Sequence, residues 1–417
     1  MRLLIVSALW PHRAHSVRAA NIVIYELLVA LAARGDVSVG LLLVGTEEAA
    51  RIGDVEQAGI DGLTQAGVDV LAPLVLPGVT TRRSRLARLL FPQIGDRYPQ
   101  CADWQLIAKR VKDWSADAIL IPWSEWLTHA CSEIPVLKYA YYGNPDPKGA
   151  RTQLHLRFRN GEISSMRRSF EAMRIGRFER QHMAVMCRYQ LLGNVALNDA
   201  GYYANGGHPN AFYIQNMWMR SPIDARRRPR NSDAPVRIIG SIGKVAGTAN
   251  TLGLEYLGRE VMPALEVVFG DRPYEVHILG SGQPHPIVAG VLNQPNVVWR
   301  GFVDHIDEEI RDCDVFLCTN NATEYKVGHT RYLHAWSLGA PVLAHRDASS
   351  SMPEIVHDKN AMLGGSGREI AEHARRIVDD AGLRRRLAEE GMRTFEEQFT
   401  SDKVAAKILA ALRDWLA

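Results

Sequence analysis

The sequence contains two successive series of short apolar runs, and a stretch with helical periodicity separates most runs from the next. The first series includes residues 2–8 and 37–45, and the second includes residues 236–243 and 274–282. Continuous apolar runs of this length, alternating with amphipathic helices, are typical of parallel strands buried on both faces. The pattern predicts an α/β chain with two doubly wound parallel sheets, in which ligands bind beyond the carboxyl ends of the strands.

A charged segment, Asp224–Pro235, lies between the two series and predicts an interdomain linker, because it contains arginine and proline without periodicity. At 417 residues the chain is also longer than one hydrophobic core usually supports. We predict an N-terminal domain at residues 1–222, a linker at 223–235, a second domain at 236–399 and a C-terminal helix at 400–417. That helix carries four apolar side chains at helical spacing that we expect to be buried: Val404, Ile408, Leu412 and Trp415.

The charge balance argues against a nucleic-acid-binding protein, since 49 Lys and Arg against 46 Asp and Glu give a net charge of only +3. Five scattered cysteines without zinc-ligand spacing are typical of reduced thiols, and we predict neither a metal nor a bound cofactor. The N-terminal run is interpreted as a strand rather than a signal peptide. The most apolar helical stretch, at residues 21–33, is too short to span a bilayer. We predict a cytoplasmic enzyme, at most peripheral on the inner face of the membrane.

Three turns that follow apolar runs in the second half have the chemistry of nucleotide sites. Glycine permits close backbone approach to a ligand, and a lysine at a strand end favours a diphosphate. The turns are GSIGKVAGT, LGSGQP and GFVD, and the third offers an apolar wall to a base. Their candidate donor-binding residues are Gly243, Lys244, Gly280, Gly282, Phe302 and Val303. The alternatives are ordinary turns, a solvated lysine and a phenylalanine in the core.

The stretch at residues 320–345 is the most informative. It predicts a polar loop and then a helix that begins near Gly328, His329 and Thr330 and ends at Leu338. Free amides at a helix start, together with the positive end of the helix dipole, bind anions. Arg331 adds a guanidinium suited to a phosphate.

Two further side chains of this stretch suit the sugar and the ribose of a donor. Glu324 lies in the loop before the helix, where it is placed to accept hydrogen bonds from sugar hydroxyls. His334 lies one turn after Arg331, within reach of a ribose. The alternatives are a solvated loop glutamate and a satisfied core histidine.

The segments VRIIGSIGKVAGT, YEVHILGSGQP, NVVWRGFVDHI and GHTRYLHAWSLGAPVLAH resemble a known family in their order and spacing. It is the retaining, GT-B fold glycosyltransferases of the glycogen-synthase and sucrose-synthase-like superfamily, glycosyl transferases group 1. The resemblance covers residues 236–412, and residues 177–218, with Asn216, resemble the last strands of the family's first domain. It implies two Rossmann-like domains facing a central cleft and a C-terminal helix packing back toward the first. It also implies sugar transfer from a nucleotide-sugar donor with retention of configuration.

The sequence departs from the family's pattern at several donor-site positions. When the segment AWSLGAPVLA is aligned with the family's pattern, His334 takes the place of the ribose-binding glutamate. Lys326 takes the place of the sugar-binding glutamate, so Glu324 lies two residues before that position. Arg331 falls where some members carry Lys or Arg. The family's Arg and Lys pair after the first donor-domain strand is reduced to Lys244.

The N-terminal half also departs from the family. Tyr141 or Tyr142 replaces the histidine often found in the cleft, so both join Glu324 as catalytic candidates. The segment WPHRAHSVRAA replaces a glycine pair after the first strand. Its acceptor-side candidates are His12, Arg13, His15 and Arg18.

Two basic clusters in the N-terminal half concern the acceptor. Residues 148–188 contain ten Lys and Arg against three Glu, an excess of seven, and residues 80–91 are basic and apolar. We interpret them either as a solvated helix face or as a patch for anionic lipid or a phosphate-bearing acceptor. The predicted partners are therefore a nucleotide-sugar donor and a carbohydrate or lipid-linked acceptor, with peripheral contact to an anionic membrane left open.

Two other functions remain compatible with the sequence. One is a GT-B enzyme of another reaction, such as a sugar-nucleotide epimerase or a pseudo-glycosyltransferase that joins non-sugar units. The other is a non-catalytic nucleotide-sugar-binding protein, which the missing second glutamate favours.

Overall fold

The computed structural model describes residues 1–14, 19–76, 87, 97–98, 104–225, 227–228, 234–323 and 325–416. The chain divides into two compact units. The N-terminal unit comprises Met1–Ile214 with Val404–Ala417, and the C-terminal unit comprises Gln215–Lys403.

The described strands of the N-terminal unit all pair in parallel. They are β1 (Arg2–Ser7), β2 (Ser38–Gly45), β3 (Asp69–Val70), β4 (Leu74–Val75), β5 (Ala118–Pro122), β6 (Leu137–Tyr142), β7 (Leu191–Asn194) and β8 (Ala211–Tyr213). Their order is β3-β2-β1-β5-β6-β7-β8, and β4 pairs with β2. Leu3 and Ile5 have no exposed surface, because β1 lies mid-sheet with helices over both faces.

Seven described α-helices accompany these strands. They are α1 (Ala19–Ala32), α2 (Asp54–Gln65), α3 (Trp104–Asp113), α4 (Glu125–Ala130), α5 (Asp146–Arg159), α6 (Ser165–Met186) and α7 (Leu197–Asn205). Helices α5 and α6 follow β6 and pack against each other. Ser164 begins α6 by accepting a hydrogen bond from the Arg167 amide at 3.3 Å.

The C-terminal unit has a six-stranded parallel sheet in its described residues. Its strands are β9 (Val236–Ser241), β10 (Tyr274–Leu279), β11 (Val297–Gly301), β12 (Val315–Cys318), β13 (Val342–His345) and β14 (Met362–Gly364). Their order is β11-β10-β9-β12-β13-β14. The apolar runs predicted as strands at residues 236–243 and 274–282 are therefore confirmed.

Helices cover this second sheet. They are α8 (Thr248–Tyr256), α9 (Met262–Phe269), α10 (Pro286–Val291), α11 (Ile306–Arg311), α12 (Thr330–Ser337), α13 (Ala348–Ser351), α14 (Gly367–Asp379) and α15 (Ala381–Gln398). The core of the unit includes Ile238, Val276 and Leu317 from the strands and Leu257 and Ile370 from the helical side.

The last helix, α16 (Ser401–Leu416), begins where the sequence predicts. Val404, Ile408 and Leu412 are buried, but Trp415 is 46% exposed, so the prediction that it packs with them is wrong. It lies in the final turn of the helix, and the helical spacing of the apolar residues does not show where burial ends.

From Val404 onward the chain belongs to the N-terminal unit, which confirms the return of the last helix to the first domain. Arg413 forms a salt bridge with Asp36 of that unit. None of the described helices is both long enough and apolar enough to cross a bilayer.

Two described arginines of the predicted linker contact the C-terminal unit. Arg227 forms a salt bridge with Asp314, and the Arg228 amide donates to Asp312 Oδ1 at 3.0 Å. The two compact units divide between Ile214 and Gln215. The charged segment is therefore tied to the second unit by a salt bridge and a hydrogen bond that its composition alone does not reveal.

Candidate functional site

The order of the C-terminal sheet predicts a ligand-binding crevice beyond the end of β9. Strand β9 pairs with β10 on one side and with β12 on the other, so the connections after β9 and β12 leave in opposite directions. Ligands of open parallel sheets bind at such a point. The glycine turn after β9 and the loop before α12 are the segments that meet there.

Arg331 links these two segments. Its Nε donates a hydrogen bond to the Ile242 carbonyl oxygen at 3.1 Å, although the two residues lie 89 positions apart. Its Nη1 is buried and has no hydrogen-bond partner. Burial lowers the pKa of Arg331, yet arginine stays cationic throughout the physiological range. Among the described residues no carboxylate forms a salt bridge with it, so this charge is available to an anion.

The start of α12 lies beside this guanidinium. The helix begins at Thr330, as the sequence predicts, with His329 as the N-cap residue. The His329 side chain makes no capping hydrogen bond to the amides of the first turn. Gly328 and Thr330 are half-buried, and the His329 ring packs edge-on to Tyr332 at 6.1 Å. Together with Arg331, the helix start has the chemistry of an anion site.

The two predicted glycine turns pack tightly on each other. Gly280 has φ +148°, and a Cβ there would overlap the Gly243 carbonyl oxygen and lie 2.7 Å from its carbon. Its amide donates to the Gly301 carbonyl oxygen at 2.7 Å. Gly243 and Gly282 have φ values of +91° and +96°, which side chains rarely adopt. Glycine is therefore required at these turns for backbone reasons, whatever they bind.

A network of asparagine side chains, which sequence reasoning missed, holds the β9 and β12 loops together. Asn250 donates to the Lys244 carbonyl oxygen at 2.7 Å, and Asn320 donates to Asn250 Oδ1 at 2.8 Å. Asn320 also donates to the Ala249 carbonyl oxygen at 3.0 Å. The Lys244 side chain itself is exposed. Its backbone is thus fixed while its ammonium group faces solvent.

Phe302 is exposed to solvent at the end of edge strand β11. It is 61% exposed, so the interpretation of Phe302 as a core residue is wrong. Trp299 of the same strand is 39% exposed, and Val303 is half-buried. Exposed aromatic side chains of this kind provide apolar surface for a planar ring.

Most of the C-terminal unit matches a known protein family. Residues 236–380 match the family model described as Glycosyl transferases group 1. This segment belongs to that family. The match includes the β9 turn, the asparagine network and the whole of α12, so the candidate anion site lies inside the group 1 domain.

Solved structures share the fold along the whole chain. A glycosyltransferase from Rickettsia africae is 11% identical, with a TM-score of 0.62 and coverage of 100% of this chain and 98% of that one. Anabaena HepE, in complex with UDP and glucose, is 15% identical, with a TM-score of 0.59 and 99% of both chains covered. No curated protein matches the sequence. The predicted GT-B fold is confirmed.

The loop before α12 in the group 1 domain contains the candidate Glu324, which lies outside the described residues. Asn321 closes this loop through two hydrogen bonds to the Val327 backbone, at 3.0 and 3.1 Å. Lys326, in the register of the family's first glutamate, forms a salt bridge with Asp347 at 2.8 Å. The charge of Lys326 is therefore countered by a carboxylate that follows β13.

His334 is held by partners within the C-terminal unit. Its Nε2 lies 2.6 Å from Asp307 Oδ1, and its ring packs against Trp218 at 5.1 Å. Both His334 and Asp307 are buried. These contacts are those of a buried histidine that is hydrogen-bonded within the protein core. The contact of His334 with a ribose stays a prediction.

We expect His334→Glu to destabilise the protein by about 1–3 kcal/mol at neutral pH, because it places a second carboxylate beside buried Asp307. Repulsion raises the pKa of the pair in the folded state, so the loss should be present at high pH and shrink as the pH falls. Urea unfolding at about pH 5 and pH 8 measures it, and His334→Gln, which retains a donor, is the control. A stable His334→Glu protein with tighter nucleotide binding would instead support the ribose role.

Tyr141 and Tyr142 are buried, and their role as catalytic groups stays a prediction. Both are at the end of β6, and neither is more than 1% exposed. Burial raises the pKa of both phenols. Tyr141 stacks on Trp123 with ring centroids 5.9 Å apart, which is a packing role.

Two of the acceptor-side candidates are described, and His15 and Arg18 lie outside the described residues. His12 is buried, and its Nδ1 has no hydrogen-bond partner. Arg13 forms a salt bridge with Glu26 at 2.6 Å and packs over the Tyr25 ring at 5.0 Å. The hydrogen bond from Glu26 raises the pKa of Arg13. Arg13 is thus a paired cation, and its contact with an acceptor stays a prediction.

Proposed function

We propose that this protein is a glycosyltransferase that takes its sugar from a nucleoside diphosphate sugar, with the diphosphate at the start of α12. The observation that carries the proposal is Arg331, a cation with a buried, unpaired Nη1 at the sheet's switch point. Membership of residues 236–380 in the group 1 family supports it. We further propose retention of configuration and a reaction without a metal ion.

The chemistry of the donor explains why such a site suffices. Cleaving the bond between the anomeric carbon and the phosphate oxygen leaves negative charge on the diphosphate. Fixed amides and the Arg331 guanidinium stabilise that charge without reorganising as it develops. The hydrogen bond from Arg331 Nε to the Ile242 carbonyl oxygen orients the guanidinium beforehand. Lys244, which is exposed, adds a second cation.

Arg331 also compensates for a departure from the family pattern. The pair of cations after the first donor-domain strand is reduced to Lys244, but Arg331 reaches the same turn from α12. Its Nη2 lies 3.9 Å from where a Cβ of Gly243 would stand. We therefore assign to Arg331 the phosphate contact that the missing cation would make.

We propose a uridine nucleotide as the first donor to test. Phe302 and Trp299 supply exposed aromatic surface for the base. The fold neighbour HepE is described in complex with UDP and with UDP-glucose. The acceptor is proposed to be a carbohydrate or a lipid-linked glycan.

UDP should raise the melting temperature, because a ligand that binds only the folded state stabilises it by roughly 2.7 kcal/mol at about 100 times its Kd. Thermal melts with UDP, GDP and ADP measure the effect and rank the bases. Lys244→Gln should reduce the UDP shift, whereas Lys403→Gln, which changes an exposed lysine of α16, should not. Melting curves that no nucleotide moves would remove the donor site.

Release of free nucleotide separates the enzyme from a non-catalytic binding protein. A panel of nucleotide sugars should yield free nucleoside diphosphate with at least one donor, slowly without an acceptor and faster with one. Nucleotide binding without any release, across donors and acceptors, would favour the binding protein.

A further inference from the structure

Helices α5 and α6, together with Arg97, line a partly open polar cavity in the N-terminal unit. Its volume is about 370 Å³, within the range of small-molecule sites. Gln153, Leu154 and Arg157 line it from α5 at helical spacing, and Arg174 and Phe178 line it from α6. A helix pair normally fills such a seam with apolar side chains. Here the seam is open and basic.

Three guanidinium groups and one carboxylate line the cavity: Arg97, Arg157, Arg174 and Glu171. Glu171 is already shared, since it accepts from Arg157 at 3.2 Å and from Arg167, outside the cavity, at 2.9 Å. Its negative charge therefore does not balance the other two arginines.

The other two arginines form no salt bridge within the part of the chain that the structure describes, although Arg97 lies close enough to Glu125 and Asp146 to lower their pKa values, which burial raises. Arg174 is half-buried, and its Nε is buried without a hydrogen-bond partner. The Arg97 guanidinium lies over the Phe178 ring at 4.7 Å. Two cations at one cavity wall repel each other, and an anion between them would remove both the repulsion and the unsatisfied donor.

We propose that this cavity binds a phosphate-class anionic group. Planar guanidinium groups match the oxygens of phosphate in geometry and charge. Leu154, Ile175 and Phe178 give the cavity an apolar side for the carbon part of the ligand. Resting on the proposed function, we infer that the ligand is the acceptor, held by its phosphate.

An anionic membrane surface would use the same basic cluster differently. Five of its ten cations form described salt bridges: Lys148, Arg151, Arg157, Arg167 and Arg188. Met166 and Met173 are exposed on α6, at 84% and 47%, and do not line the cavity. The unpaired donor of Arg174 belongs to the cavity wall, which favours a ligand that enters it.

Titration with inorganic pyrophosphate in saturating UDP tests the cavity while the donor site is occupied. Arg174→Gln should weaken pyrophosphate binding about tenfold or more, since one charge-assisted hydrogen bond contributes that much. Arg180→Gln is the matched control, because Arg180 is an exposed arginine of α6 that does not line the cavity. Ala150→Phe fills the cavity without removing a charge and should also block binding.

Equal pyrophosphate affinity in the wild type, Arg174→Gln and Ala150→Phe would overturn the proposal. Flotation with anionic vesicles separates the sources of phosphate: vesicle binding lost on changing Arg167, Arg168, Arg174 and Arg177 to Ser, without soluble pyrophosphate binding, would assign the cluster to a membrane. If UDP itself does not bind, the titration in an Arg331→Gln background still tests the cavity. Failure of the donor site is thereby distinguished from failure of the cavity.

Discussion

Replacing Arg331 with Gln should lower the rate of sugar transfer about 100-fold or more, the usual effect of removing one donor that stabilises developing negative charge. Nucleotide affinity should fall as well. Arg331 is a charged side chain that joins the two loops of the switch point, and its buried Nη1 has no hydrogen-bond partner. Initial rates with the donor identified by the nucleotide-release panel, and calorimetric titration with the matching nucleoside diphosphate, measure both effects.

The free energy of unfolding of the unliganded Arg331→Gln protein must also be measured, because it separates a binding role of Arg331 from a structural one. Arg331→Gln loses the hydrogen bond to the Ile242 carbonyl oxygen but relieves an unpaired buried cation, so its free energy of unfolding should change by less than about 1 kcal/mol. Arg331→Lys retains charge without the planar fork and should have an intermediate transfer rate. A large loss of stability with unchanged nucleotide affinity would make Arg331 a structural residue.

Replacing Gly280 with Ala should destabilise the C-terminal unit by about 3 kcal/mol or more, because the new Cβ overlaps backbone that cannot rotate away. The overlap is with the carbonyl group of Gly243, in the turn that we assign to the diphosphate. Moving that turn would also displace Lys244, whose carbonyl oxygen Asn250 holds at 2.7 Å. We therefore expect loss of UDP binding together with the loss of stability.

Gly282→Ala is the matched control for this change. Gly282 also has a positive φ, but a Cβ there would meet no atom within 4 Å. It should cost only the backbone strain, about 1–2 kcal/mol. Urea unfolding of the two variants measures the difference. Equal losses would show that backbone strain, rather than the close approach of the two turns, sets the requirement for glycine.

The sequence alone determines the fold class, the principal parallel strands and the start of α12. These features depend on local patterns: apolar runs of strand length, helical spacing, and the glycines at turns with positive φ. Thr330 begins α12 as predicted, and the family match at residues 236–380 depends on the same ordered segments. The residue types of the proposed diphosphate site can therefore be identified from the sequence without knowledge of any tertiary contact.

The tertiary structure alone decides which of the candidate side chains are available. Arg331 contacts Ile242, 89 positions away, and His334 contacts Asp307, 27 positions away. Phe302 follows edge strand β11 and is exposed, whereas Tyr141 lies in interior strand β6 and is fully buried. A side chain's chemistry is set by its residue type, but its charge balance and exposure depend on partners that only folding brings near. For that reason the sequence could nominate Arg331 and His334 equally, and only the structure separates an unpaired cation from a satisfied histidine.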